Sequence, residues 1–268
     1  MKDKHDTILK MYVQKLKYFN YSKRTIETYS HYTLKFLQSV DKYFQHLVSS
    51  DFQNYLNNYP FSSISQQNQI INAIKFLYER VLNKKYDKID FTRPRNEKRL
   101  PRIIDKNFIL SSIDKIKNKK HKAIISLAYS VGLRVSEVIN LKISDINSKR
   151  MVIIINQAKG RKDRIVPLTP KILGLLREYY IEYKPKEYLF NGQFTNRYST
   201  TSCNEIIKKY LGEEYHFHLL RHSCFTNLTD QGVDIHAIQK LAGHNSSKTT
   251  EIYLHMSTQT LNQLPLAI

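Results

Sequence analysis

Met151-Val-Ile-Ile-Ile-Asn-Gln-Ala-Lys-Gly160-Arg-Lys-Asp-Arg-Ile-Val-Pro-Leu168 is where the hydrophobic period of this chain changes. The β-branched run from Met151 to Asn156 and the run from Arg164 to Leu168 both favour extended backbone. Between them, Lys159-Gly160-Arg161-Lys162 supplies a glycine-containing turn, so the stretch predicts a β-hairpin. On either side the apolar residues recur at helical spacing. Helix is expected from Asp105 to about Ser144 with a break at Gly132, and then over about 170–183, 199–211, 217–231, 234–242 and 246–256. The expected fold is therefore mainly α, with a small β-hairpin or sheet in its second part.

The first hundred residues hold no glycine and read as a small helical bundle. Ser22 is a candidate N-cap for a helix to about Val40, with Ile26, Tyr29, Tyr32, Leu34, Phe36 and Leu37 as its apolar positions. A second long helix runs from Ser62 or Ser65 to Leu82, and shorter ones cover about Asp6 to Phe19 and Asp51 to Asn57. From Phe91 to Arg102 the character changes. Pro94 and Pro101 oppose helix, and Arg93, Arg95, Lys98, Arg99 and Arg102 face a single Glu97. This segment is expected to be a linker that meets phosphates, or else an ordinary solvated loop. The expected organisation is a helical bundle over 1–90, the basic linker over 91–102, a second domain over 103–256 and a tail over 257–268.

The formal net charge is +20 and the isoelectric point about 9.7. Residues 1–100 carry 18 Lys and Arg against 9 Asp and Glu, and residues 101–268 carry 25 against 14, so both parts face a polyanion. Charge alone selects a nucleic acid without choosing between DNA and RNA. The two cysteines, Cys203 and Cys224, lack metal-ligand spacing, which makes a reducing cytoplasm the expected location. Met1 to Val13 lacks the apolar run of a signal peptide, and stretches such as Ala123 to Ala128 are too short to span a bilayer.

Four short motifs carry groups suited to phosphate chemistry. His218-Leu-Leu-Arg221-His222 places His218 and Arg221 on one helical face, where a guanidinium forks onto two oxygens and an imidazole moves a proton near neutrality. In Gly132-Leu-Arg134-Val-Ser-Glu137 the glycine ends one helix and Arg134 opens the next, with Glu137 placed to pair with it or cap the first turn. Leu241-Ala-Gly-His244 ends another helix, and Tyr253 follows nine residues on. Lys159 stands at the hairpin tip. Taken singly, each has an ordinary explanation, and Tyr253 is one of 19 tyrosines. His216, His218, His222 and His244 do not suggest zinc, because Arg221 among them would set a cation beside a cation.

Taken in order, Gly-Leu-Arg-x-Ser-Glu, the Lys-Gly-x-Lys hairpin, His-x-x-Arg-His, Gly-His and Tyr resemble the tyrosine recombinase family of phage integrases and Xer-type recombinases. The resemblance runs over nearly the whole chain. Residues 21–29, Tyr-Ser-Lys-Arg-Thr-Ile-Glu-Thr-Tyr, look like part of that family's core-binding domain, and the second half looks like its catalytic domain. It implies catalytic roles for Arg134, Lys159, His218, Arg221, His244 and Tyr253, with Lys162 a rival to Lys159 and Glu137 in support. Arg134 and Arg221 would neutralise the phosphate, with a hydrogen bond from His244. Tyr253 would be the nucleophile, His218 the nearest candidate base and Lys159 the general acid.

The resemblance further implies double-stranded DNA with inverted half-sites and a homotetramer in the synaptic complex. An accessory recombinase or directionality factor would assist. No cofactor and no metal are implied, and the location would be cytoplasmic, on the nucleoid. Arg93, Arg95, Lys98, Arg99, Arg102, Arg161 and Lys162 are the candidate DNA contacts. The apolar tail, with Leu261, Leu264, Leu266 and Ile268, would dock on a neighbouring protomer or on its own domain. The chain begins close to its first helix, so an arm-binding domain is not expected. Two other readings share some of these features: a DNA-organising protein without chemistry, and a type IB topoisomerase-like relaxing enzyme.

Overall fold

Tyr12 is fully buried and donates its hydroxyl to the carbonyl of Ala73 across 3.0 Å, joining the first and last helices of the N-terminal unit. The computed structural model describes residues 3–40, 42–84, 92–94, 101–156, 163–244 and 246–256, and the chain divides into two units, residues 1–98 and 99–268. In the first unit, α1 (Asp3–Tyr18), α2 (Lys23–Val40), α3 (Ser49–Asn58) and α4 (Ile64–Phe76) form a bundle, and α4 continues into a π-helical turn, Leu77–Val81. Ser22 accepts from the Thr25 amide at 3.2 Å, as an N-cap should. The fourth helix is capped by Ser63, which accepts from the Gln66 amide, rather than by Ser62 or Ser65. The apolar faces meet in a core that includes Ile8, Leu16, Phe36, Phe52, Ile70 and Ile74.

The second unit holds α5 (Lys106–Lys115), α6 (Lys119–Val131) and α7 (Val135–Asn140). The helical stretch after Asp105 breaks twice, once at Gly132 as expected and once before α6. There Asn118 caps the new helix by accepting from the His121 amide at 2.9 Å. A three-stranded antiparallel sheet follows, β1 (Ile146–Asn147), β2 (Val152–Ile155) and β3 (Arg164–Pro167), in the order β1-β2-β3. The predicted hairpin strands are β2 and β3, in register with Ile153 opposite Val166. The two residues of β1 are too few to carry a period, so the sequence did not announce them. Helices α8 (Pro170–Tyr183), α9 (Thr200–Leu211), α10 (Phe217–Asp230), α11 (Ile235–Ala242) and α12 (Lys248–Met256) follow.

The described residues are thus mainly helical with one small sheet, as the change of period implied. Helix α6 lies at the centre of the second core, with Ile124, Ile125, Leu127 and Ala128 all fully buried. Helix α10 packs against it. Burying the isoleucine and leucine side chains contributes about 1.5–3 kcal/mol each and makes α10 a rigid support for the polar groups it carries. Among the described residues no helix is long and apolar enough to cross a membrane.

Candidate active site

Helix α10 presents His218, Arg221 and His222 on one face, as spacings of three and four residues require. Arg221 is 1% exposed, yet its guanidinium is well supplied with acceptors. Nη1 donates to the carbonyl of Gly132 and Nη2 to that of Ala242, each at 2.6 Å, and Nη2 also donates to Nε2 of His244 at 2.9 Å. Both carbonyls come from helix ends. Gly132 closes α6 with φ +62°, and Gly243 closes α11 with φ +61°. A Cβ at Gly132 would collide with the Phe225 ring, and one at Gly243 would meet Arg164 Cδ at 2.9 Å. Glycine is therefore needed at both positions for its backbone freedom and its lack of a side chain. The two motif glycines end the helices that hold Arg221.

Because a guanidinium only donates, His244 Nε2 must accept, so its proton sits on Nδ1. That proton goes to Thr250 Oγ1 at 2.9 Å, and Thr250 is fully buried at the start of α12. His244 thereby links Arg221 to the helix that carries Tyr253. Burial, and then the charges of Arg221 and Arg134, hold the His244 imidazole down at about pKa 4, so it is neutral at pH 7.

Arg134 opens α7, and its own amide donates to Glu137 Oε2 at 2.8 Å while its Nη1 donates to Glu137 Oε1 at 2.8 Å. Glu137 thus both caps the turn and pairs with Arg134. A second arginine shares this carboxylate. Arg164 of β3 donates from Nη1 and Nη2 to the two oxygens at 2.7 and 2.9 Å, and from Nε to the Leu241 carbonyl at 2.9 Å. Burial alone would raise the Glu137 pKa. The bond and charge of Arg164, with those of Arg134, outweigh it and hold the carboxyl at about 2.

Arg164, a position to which the sequence assigned no role, supports the cleft through Glu137. A signal for it existed. In β3 the face of buried Val166 is shared by Arg164, while Ile165 points outward at 54% exposure. An arginine in phase with the buried face of a strand needs a buried carboxylate, and Glu137 supplies it.

Tyr253 lies on α12 and is 2% exposed. Its ring meets those of Phe225 at 5.3 Å, His222 at 5.8 Å and His244 at 6.4 Å between centroids. Burial raises the phenol's pKa, against the lowering effect of the Arg221 charge. Burial and the charge of Arg221 push His218 down to about 4, and burial with His218 and Arg221 does the same to His222. Arg134, His218, Arg221, His222, His244 and Tyr253 all line one cleft of about 470 Å³. Both histidines on α10 are thus neutral at pH 7, beside two arginines that carry charge.

Five of the sequence's six candidate catalytic residues are brought together in this way. The sixth, Lys159, lies outside the described residues, as do Arg161 and Lys162 of the hairpin turn, the linker residues Arg95, Lys98 and Arg99, and the tail 257–268. Of the remaining linker cations, Arg102 is exposed, and Arg93 donates to Asn68 Oδ1 at 2.8 Å and Asn72 Oδ1 at 2.6 Å on α4. Among the described residues no group of three His, Cys, Asp or Glu side chains is placed to hold a metal ion.

Residues 96–260 match the family model for the phage integrase family, and residues 8–88 match that for the phage integrase N-terminal SAM-like domain. The chain belongs to the phage integrase family. This recombinase is 32% identical over 258 residues to the tyrosine recombinase XerA of Pyrococcus horikoshii, an alignment covering 90% of this chain and 86% of that one. Among solved structures it is similar to a XerA recombinase, at 27% identity and TM-score 0.56, with 96% of each chain covered. It is also similar to a XerH site-specific recombinase bound to a palindromic difH substrate in a post-cleavage complex. That match has 25% identity, TM-score 0.73 and coverage of 91% of this chain and 80% of the other. The chain is accordingly a site-specific tyrosine recombinase, which cleaves and rejoins DNA strands through a covalent phosphotyrosyl intermediate.

Proposed function

We propose that Tyr253 is the nucleophile of this recombinase and that Arg134, His218, Arg221 and His244 form the phosphate site around it. The observation that carries the reading is the convergence of these five side chains, from the start of α7, from α10, from the end of α11 and from α12, on one cleft. A phosphodiester repels an incoming nucleophile, and fixed guanidiniums offset the charge that grows on its non-bridging oxygens. Arg134 and Arg221 supply that charge, and His244 holds Arg221 in place and adds a hydrogen bond. Tyr253 Oη attacks phosphorus in line and leaves a 3′-phosphotyrosyl bond, which keeps the free energy needed to reseal the strand without ATP. His218 is the candidate base. Lys159 protonates the departing 5′-oxygen, with Lys162 as the alternative, and Glu137 supports Arg134.

The bundle of residues 1–90, the basic linker over 91–102 and the catalytic domain of residues 103–256 each bind duplex DNA. Arg93, Arg95, Lys98, Arg99, Arg102, Arg161 and Lys162 contact phosphates. Four protomers act on two sites with inverted half-sites, and the tail 257–268 docks on the neighbouring protomer in a cyclic arrangement. The physiological reaction is Xer-like resolution or the integration and excision of a mobile element.

The test uses a nicked duplex carrying the inverted repeat that the full chain selects from a random-sequence library. A covalent 3′ adduct should accumulate with the native chain and vanish in Tyr253→Phe while DNA binding persists. Adduct in that variant would remove Tyr253 from the role. Binding without adduct on any DNA would favour a DNA-organising protein, and relaxation of plasmids lacking the repeat would favour a topoisomerase-like enzyme. Deleting residues 257–268 should spare binding by single protomers and impair synapsis.

A further inference from the structure

His222 has no part in the roles set out above, yet it is closer to the nucleophile than its position in the motif suggests. It stands four residues after His218 on α10, and the two rings meet edge to face at 4.6 Å and 88°. Its ring lies 5.8 Å from that of Tyr253. It lines the same cleft as Arg134, Arg221 and Tyr253. Its Nδ1 is buried and has no hydrogen-bond partner among the described residues. A buried polar atom left unpaired is costly, which is a reason to look for a transient partner.

The other imidazole whose ring meets Tyr253 is occupied. His244 accepts from Arg221 at Nε2 and donates to Thr250 from Nδ1, so it takes a proton only by giving up the Arg221 bond. Among the described imidazoles in ring contact with Tyr253, His222 is therefore the one with an unengaged nitrogen. We propose that His222 takes the phenolic proton of Tyr253 during strand cleavage, with His218 beside it to share the charge. This rests on the reading of Tyr253 as nucleophile and refines the assignment of the base.

The step balances without a further reactant. The Tyr253 Oη–P bond forms, the phenolic proton passes to His222 directly or through one water, the P–O5′ bond breaks and the general acid protonates the 5′-oxygen. On resealing, the 5′-hydroxyl gives its proton to the general acid's conjugate base and attacks phosphorus. Tyr253 then leaves and recovers its proton from His222. The groups facing His222 are His218 and Arg221 on its own helix, His216 at the helix cap, Tyr253 on α12, His244 after α11 and Arg134 before α7. Burial, then His218 and Arg221, hold its pKa at about 4 in the DNA-free site, so the ring is neutral throughout the neutral range, and the negative charge of a bound phosphate would raise its basicity towards that range.

The experiment measures single-turnover cleavage of the nicked duplex by the full chain from pH 5.5 to 9, with DNA binding measured in parallel. The native rate should be flat over this range. His222→Gln should cleave about 10²-fold more slowly at pH 7, and its rate should rise tenfold per pH unit as solvent ionises Tyr253. A 5′-bridging phosphorothiolate, whose leaving group needs no proton, should not restore it. His222→Ala with added imidazole is the second variant, and recovery of cleavage supports the role. A flat, near-native profile in His222→Gln would overturn the proposal, as would full restoration by the sulfur substrate or no response of His222→Ala to imidazole. If His218→Gln alone acquires the pH slope, His218 is the base and the reading of Tyr253 still stands. Adduct formation by Tyr253→Phe would instead overturn the reading on which both rest.

Discussion

Arg164 grips Glu137 with both terminal nitrogens, at 2.7 and 2.9 Å, in a pair whose side chains are 8% and 5% exposed. The same carboxylate holds Arg134, and Arg164 also holds the last turn of α11 through Leu241. One ion pair therefore sets the relative positions of β3, the start of α7 and the Gly243-His244 turn. Removing Arg164 leaves Glu137 its bonds from Arg134 alone, so the cost is about 1–3 kcal/mol, below that of a fully orphaned buried charge. Arg164→Ala should lower the urea unfolding free energy by about that much and slow cleavage more than it weakens DNA binding. Arg164→Lys should recover only part of the loss, since an ammonium lacks the planar fork.

Glu137 also sets an acid limit to stability. Its folded pKa of about 2 lies below the ordinary carboxylate value of 4.5. The stabilisation is complete above pH 4.5 and is lost as pH falls towards 2, because the unfolded chain takes up the proton first. A shift of this size corresponds to about 3 kcal/mol. Urea unfolding at steps between pH 6 and 2 should show native stability falling, and Glu137→Gln should remove that part of the slope.

The glycine that closes α6 and the glycine inside α8 should respond in opposite directions to alanine. Gly132 has φ +62° and no room for a Cβ against Phe225, and its carbonyl receives Arg221. Gly132→Ala should cost at least about 1–3 kcal/mol and reduce cleavage. Gly174 lies inside α8 with nothing within 4 Å of an added Cβ. Gly174→Ala should raise stability by about 0.5–1 kcal/mol and leave cleavage unchanged. Thermal unfolding of both variants checks the contrast.

Thr250 couples His244 to α12, the helix that carries Tyr253. Thr250→Val keeps the buried shape but leaves His244 Nδ1–H without its acceptor at 2.9 Å. The expected result is a stability loss of about 1–3 kcal/mol and a fall in cleavage rate, with little change in DNA affinity. Equal losses in cleavage and in affinity would show that Thr250 acts on DNA binding instead of on the site.

The sequence by itself determined the classes of structure and chemistry. Period marked the helices and the β2–β3 hairpin, glycines marked the ends of α6 and α11, and the ordered motifs named the candidate phosphate groups and the candidate tyrosine. These are local properties, written in spacing and residue type. Only the tertiary structure decided which groups meet. The acceptors of Arg221 are the carbonyls of Gly132 and Ala242, and every residue has a carbonyl, so no residue type reveals which one is used. Arg164 reads as a surface cation until β3 turns its Val166 face inward onto Glu137. His218 and His222 look alike on α10, and the packing of α12 is what brings the Tyr253 ring to His222. Contacts between distant segments depend on how whole helices pack, and that packing has no spacing in the chain.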